Sequence, residues 1–205
     1  MKELVELIKK LSLSLKREIR LMEVCGTHTV AIFRSGIRSI LPENVKLLSG
    51  PGCPVCVTPH EDIDMAIELS KNHDVILLTF GDMMRVSGTK GSLQTARAEG
   101  SDIRVIYTPM DMIDIASQEP HKTVIFFAVG FETTSPLIAG SLLIAEEKRI
   151  DNLFIYSCHK LVPPALRALL LGRIKIDGFI LPGHVSTIIG AEPYNLSGMN
   201  IIYPQ

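Results

Sequence analysis

The stretch KTVIFFAVGFETTSPLIAG, residues 122–140, decides the fold. Apolar side chains fill every position from Val124 to Val129. Strict alternation would mark a sheet with one wet face. A continuous run marks a strand covered on both faces, as in a parallel sheet. The run stops at Gly130. Ser135-Pro136 then opens a helical segment, LIAGSLLIAEEKR, with proline where its missing N–H costs nothing. Strand, glycine turn and helix make one βα unit.

The same rhythm extends in both directions. Strands are read at IRLMEV (19–24), VKLLS (45–49), DVILLTF (74–80), DIRVIY (102–107), LFIYS (153–157) and GFIL (178–181), with NIIYP (200–204) as a last one. Between them, Thr58-Pro59-His60-Glu61 reads as a capping box with proline at the first helical position, ahead of EDIDMAIELSK. Thr108-Pro109 precedes MDMIDIAS, and Pro163-Pro164 opens ALRALLLG, which Gly172 can close. Such alternation predicts an α/β protein with right-handed crossovers. The polar segment SQEPHK (117–122) is the natural joint. The expected organisation is an N-terminal helix (1–19) and two similar lobes, 20–118 and 121–205. Each is a mainly parallel sheet flanked by helices, built of Rossmann-like βα units. The chain stops just after an apolar strand, so a truncated second lobe and a longer parent protein are expected.

Composition narrows the function classes. The 205 residues are 46% hydrophobic and carry a formal net charge of −1. That suffices for real cores, and near-neutral charge argues against a dedicated nucleic-acid binder, which must neutralise phosphates. Apolar runs such as TVIFFAVG are far shorter than the roughly 20 residues that cross a membrane. Leu4, Leu7, Ile8, Leu11 and Leu15 fall at helical spacing, and Lys9-Lys10 interrupts any signal-peptide core. Four cysteines without a secretory signal point to a reducing cytoplasm, where C-x-x-C is more often metal-binding or redox-active than a permanent disulfide.

Reactive residue types gather just after the strands: Cys25 and His28, Cys53 and Cys56, Asp82, Glu132 with Thr133 and Thr134, Cys158 and His159, His184. In an open parallel sheet this edge binds ligands. C-x-x-H (25–28) with C-x-x-C (53–56) offers three thiols and an imidazole, donors suited to iron or zinc, and all four are expected to share one pocket. A closed zinc site is one reading. A redox dithiol at Cys53 and Cys56, close to a helix start that favours thiolate, is another. Gly130-Phe131-Glu132-Thr133-Thr134 can present amides and hydroxyls to an anion, or simply cap a helix. Cys158 and His159 are adjacent and point to opposite sides, so His159 is taken as the site residue and Cys158 as packed inside. His184 is a ligand, a proton donor or a loop anchor. His60, His73 and His121 are read as surface residues.

MEVCGTHT, SGPGCPVCVTP, GFETTSP, SCHKLVPPA and LPGHVSTIIG, in this order over essentially the whole chain, resemble the HypD family of [NiFe]-hydrogenase maturation factors. The resemblance implies a scaffold rather than an ordinary enzyme, one that assembles an iron centre bearing two cyanides and one carbon monoxide, Fe(CN)2CO. It implies HypC as the partner that brings iron and HypE as the cyanide donor. It matches Cys25 and His28 to the family's iron-site motif, and Cys53 and Cys56 to a redox-active thiol pair. The family's [4Fe–4S] cluster is held by cysteines of a further region outside this chain. Glu132, Thr133, Thr134, His159 and His184 are expected to line the site, with the hydroxyls and amides near Thr133 and Thr134 cradling cyanide. Two other classes compete with this reading: a thiol–disulfide oxidoreductase and a zinc-stabilised interaction module.

Overall fold

The computed structural model describes residues 2–195. It is an α/β protein of two parallel sheets flanked by helices. The chain begins with α1 (Lys2–Ser14), β1 (Ile19–Glu23), α2 (Gly26–Arg34), α3 (Ile37–Ile40) and β2 (Val45–Ser49). It continues through α4 (His60–Ser70), β3 (Val75–Phe80), a 3-10 turn (Gly81–Arg85), α5 (Leu93–Ala98), β4 (Ile103–Ile106), α6 (Asp111–Gln118), β5 (Thr123–Ala128), α7 (Ser135–Glu147) and β6 (Leu153–Ser157). It closes with α8 (Val162–Leu170), β7 (Gly178–Ile180), α9 (Gly183–Ile189) and a 3-10 turn (Glu192–Tyr194). The strand expected at 200–204 lies outside the described residues.

Two compact units result: residues 1–53 with 161–205, and residues 54–160. The first holds a parallel sheet of order β2-β1-β7. The second holds a parallel sheet of order β4-β3-β5-β6. In each, the strand order reverses direction once, between β1 and β7 and between β3 and β5. Such reversals open a crevice at the carboxyl ends of the strands.

The second unit explains why its strands read as continuous apolar runs. On one face Leu77 and Phe127 pack with Ile63 and Ala66 of α4 and Leu93 of α5. On the other, Ile76, Leu78, Val124 and Phe126 pack with Met112 and Ile113 of α6 and Ile138 of α7. Period-two geometry sends neighbours to opposite faces, and both faces are dry. Each fully buried side chain of this size contributes about 1.5–3 kcal/mol. Phe80 meets Phe126 edge-on at 5.2 Å, and Phe127 stacks on Tyr156 at 5.5 Å. In the first unit, Ile8, Leu11 and Leu15 flank an apolar groove of about 470 Å3 with Leu21, Val45 and Leu47.

Two expectations are corrected. Residues 117–122 do not divide the chain, because β5 pairs with β3 from Val75↔Thr123 to Thr79↔Phe127. The stretch 20–118 therefore spans parts of both units, and the segment from 161 on completes the first. The polar turn is tied down by Asn152, whose Nδ2 is shared by the carbonyls of Ala116 (3.1 Å), Glu119 (3.0 Å) and Lys122 (2.9 Å). The capping box also does not form. Thr58 Oγ1 donates to Pro54 O at 2.8 Å, and Pro59 takes the cap position without a side-chain bond. Asn152→Ala should leave three carbonyls short of their donor and cost about 1–3 kcal/mol. The check is a lowered denaturant midpoint with an unchanged slope.

Candidate functional site

Cys25 stands between β1 and α2, at the cap position of the helix. Its backbone is extended (φ −100°, ψ 135°), and its carbonyl accepts from His28 N at 2.9 Å and Thr29 N at 3.3 Å. Gly26, Thr27 and His28 thus form the first turn of α2. The pairing of β1 with β2 runs from Ile19↔Val45 to Glu23↔Ser49, and Gly50 N adds one more bond to Glu23 O at 2.8 Å. The chain then crosses the end of β1. A Cβ at Gly52 would overlap the Val24 carbonyl oxygen and press on the Cα of Cys25. Only glycine permits this approach, and the next residue is Cys53. The loops carrying Cys25 and Cys53 are therefore in backbone contact. Both cysteines are half-buried, Cys56 is exposed, and no disulfide joins any of the four. On the other side of β1, Val24 N donates to Ile180 O at 3.1 Å. His184 follows in the first turn of α9 and is exposed.

Beneath Cys25 lies a charge that the sequence pattern did not disclose. Glu23 is wholly buried. Its Oε1 accepts from Arg38 Nη2 at 2.6 Å and from Ser49 Oγ at 3.1 Å. Its Oε2 has no hydrogen-bond partner, nor has the shielded Nδ1 of His28.

The second unit carries its own polar edge. Gly130 follows β5, and a Cβ there would overlap Thr134 Oγ1 and stand 2.8 Å from His159 Nε2. Thr134 Oγ1 donates to Phe131 O at 3.1 Å, so in its 3.0 Å contact with His159 Nε2 it accepts. That places the ring proton on Nε2 and leaves Nδ1 to accept from Ser157 Oγ at 3.2 Å. Burial holds His159 below the ordinary imidazole range, which fits a neutral ring. Thr134 occupies the cap position of α7, but its hydroxyl is turned to this network rather than to the helix. Glu132 is buried and Thr133 is exposed.

Behind this edge, Tyr156 donates to Asp62 Oδ1 at 3.2 Å and Lys160 approaches Asp62 Oδ2 at 3.8 Å. Cys158 is buried in the same core, as expected. Burial, reinforced by the Asp62 charge, pushes its thiol up to about 11. Asp64, two residues on, takes the amides of Thr89 (2.9 Å) and Lys90 (3.2 Å) and the Thr89 hydroxyl, so the hydroxyl holds it below the usual carboxylate range. His60, exposed as expected, meets Ser87 O through Nδ1 at 2.9 Å. His73 and His121 are exposed as well.

The expected single edge is thus two edges. Cys25, His28, Cys53 and His184 belong to the first unit, while Cys56, Glu132, Thr133, Thr134 and His159 belong to the second. Among the described residues, no three His, Cys, Asp or Glu side chains come close enough to hold a metal ion.

Fold and site together define an α/β thiol protein, with half-buried Cys25 and Cys53 on loops that follow neighbouring strands of one parallel sheet. The HypD pattern, described as "Hydrogenase formation hypA family", matches residues 1–204. The chain belongs to this family. It is similar to hydrogenase maturation factor HypD of Escherichia coli (strain K12), with 47% identity over 90% of this chain and 50% of that protein. It is also similar to HypD2 of Bradyrhizobium diazoefficiens (48% identity, 87% of this chain and 49% of that one) and to HypD of Azotobacter vinelandii (48%, 87% and 49%). The chain spans about half the length of these relatives. No helix among the described residues is long and apolar enough to cross a membrane.

The thiols should differ in reactivity. At pH 7.5 iodoacetamide should label Cys25, Cys53 and Cys56 well before Cys158, as mass spectrometry of the peptides would record. Cys158 should react only as the pH nears its raised value. The unfolded thiol loses its proton first, near 9.0, so stability should fall as pH climbs from there to about 11.

Proposed function

We propose that this chain is the part of a HypD-type scaffold on which the Fe(CN)2CO centre of [NiFe]-hydrogenase is assembled, with iron as cargo rather than as a resident cofactor. The observation that carries the reading is the backbone contact of Gly52 with Val24 and Cys25, which sets two thiol-bearing loops side by side at one sheet edge. Cys25 is the anchoring thiolate and His28 assists it. Soft thiolate donors suit low-spin iron that carries cyanide. An arrangement with few protein ligands suits cargo that must leave again, since a closed cage would retain it. HypC brings the iron and supplies further contacts, and HypE supplies cyanide. The [4Fe–4S] cluster of the family has its ligands outside this chain.

Cys53 and Cys56 act as a dithiol. On becoming a disulfide the pair gives up two electrons and two protons, which the assembly can draw on. Glu132, Thr133, Thr134, His159 and His184 offer polar contacts to the cargo or the partners. Thr134 and His159 do so from a network already satisfied within the protein, which favours a preorganised surface over a proton donor. The working compartment is the cytoplasm.

A second reading, a thiol–disulfide oxidoreductase, is favoured by one observation: Cys56 is exposed just ahead of α4. Insulin reduction and iron analysis on one preparation separate the two. The scaffold reading itself rests on Cys25. Cys25→Ala should remove the cyanide stretching bands from the infrared spectrum of the HypC complex while leaving the far-ultraviolet circular dichroism unchanged. Bands of undiminished intensity would refute the anchoring role.

A further inference from the structure

Resting on the reading of Cys25 as the metal-binding thiolate, we propose that Glu23 is the positioning carboxylate of His28. It accepts the ring's Nδ1–H and so presents Nε2 to the metal at Cys25. In the first unit, the described buried side-chain atoms without a hydrogen-bond partner are Glu23 Oε2 and His28 Nδ1. They flank Cys25 in the sequence and are complementary in kind. A carboxylate only accepts, and a neutral imidazole carries one N–H to give. Buried polar atoms are rarely left unpaired, and two such atoms at one strand end mark a pairing completed in another state of the site.

The backbone supports the pairing. Cys25 is still extended, so Glu23 and Cys25, two positions apart, share a face of the strand. That face is the one covered by α2 and α3, because Arg38 of α3 reaches Glu23 at 2.6 Å and α2 packs on β1. His28 stands on the first turn of α2, with its amide on the Cys25 carbonyl. Carboxylate, thiol and imidazole thus follow one another from the strand end into the helix start. Arg38 and Ser49 already occupy Oε1, and Arg38 supplies the counter-charge that a buried carboxylate needs. Oε2 is left for a donor. Metal-bound histidines nearly always give their second N–H to a carboxylate, carbonyl or water, and this fixes the tautomer and the ring plane.

The test uses the chain with Zn(II) alone as a diamagnetic probe, read by titration and by 15N NMR of the imidazoles. The expected spectrum of the loaded protein has His28 bound through Nε2 and protonated, hydrogen-bonded, at Nδ1. Glu23→Gln should weaken Zn(II) binding about ten- to a hundredfold and shift the Nδ1–H signal, and Glu23→Asp should recover part of both. In a His28→Ala background, Glu23→Gln should change nothing further. Metal on Nδ1, an Nδ1 without a proton, or fully additive losses in the double variant would overturn the role. The two layers fail differently. If Cys25→Ser binds Zn(II) as tightly as the parent, the thiolate reading is wrong. If Cys25→Ser loses binding and Glu23→Gln does not, only the role of Glu23 is wrong. Where Glu23→Gln does not fold, the tautomer in the unsubstituted protein decides alone.

Discussion

The contact of Gly52 with the backbone of Val24 and Cys25 is the constraint on which the first sheet edge depends. Five rungs of parallel pairing bring β1 and β2 to the same level, and Gly50 continues the ladder by one bond. Beyond that point a side chain would force the chain outward. Glycine lets it cross, and Pro51 and Pro54 limit the alternatives by locking φ on either side of Cys53. The position of the Cys53 loop is therefore set by backbone shape rather than by side-chain packing. A loop held in this way keeps its thiol in place whether or not anything is bound to it. Preorganisation of that kind spares ordering entropy for any ligand that binds there.

Charge is used differently at the two kinds of place where it occurs. Arg104, Asp102, Glu119 and Lys122 form a chain of ion pairs with about a third of each side chain exposed. Solvent screens such pairs, and they add little to stability. Glu23 has no such screening. A buried ion pair is often no more stable than apolar residues of the same volume, and half of one is strongly destabilising. Stability thus gives no reason for a carboxylate under the Cys25 loop. Its position two residues before the thiol, on the same face of the strand, gives a chemical reason instead.

The strands were legible in the sequence because burial on both faces writes itself as unbroken apolar runs. β2 and β6 fall where the pattern put them, and the others differ by a residue or two at their ends. Helices were legible where proline or length announced them, as at α7 and α8. Helix α2 was not, since GTHTVAIFR combines glycine and β-branched residues that weaken a helical signal. Thr58 misled because a hydroxyl can serve a turn as well as a cap, and here Pro54 takes it. The division of the chain was illegible for a topological reason. It follows from β7 joining β1, a pairing between segments far apart in sequence. The same holds for the site. Cys25, Cys53 and His159 could be nominated from residue type and strand ends, but Glu23 with Arg38, and Tyr156 with Asp62, exist only once the fold has brought distant positions together.

The C-x-x-C pair straddles that division, with Cys53 closing the first unit and Cys56 near the start of the second. A disulfide there would close a ring of only four residues. Loop-closure entropy scales with the logarithm of ring size, so a bond of this span stabilises the fold by about 2 kcal/mol at most, before any strain is counted. Domain stabilities run to about 5–15 kcal/mol. Oxidation and reduction of this pair therefore change the local chain without deciding whether the protein folds, which is what a reversible redox function requires. Cys158 presents the opposite case. It is packed in a core cluster that Tyr156 and Val55 adjoin, and its raised ionisation keeps it a neutral thiol under conditions where Cys53 and Cys56 would react. Burial thus does the sorting: it lowers the reactivity of Cys158 and leaves the less buried thiols on the glycine- and proline-bound loops the more reactive ones.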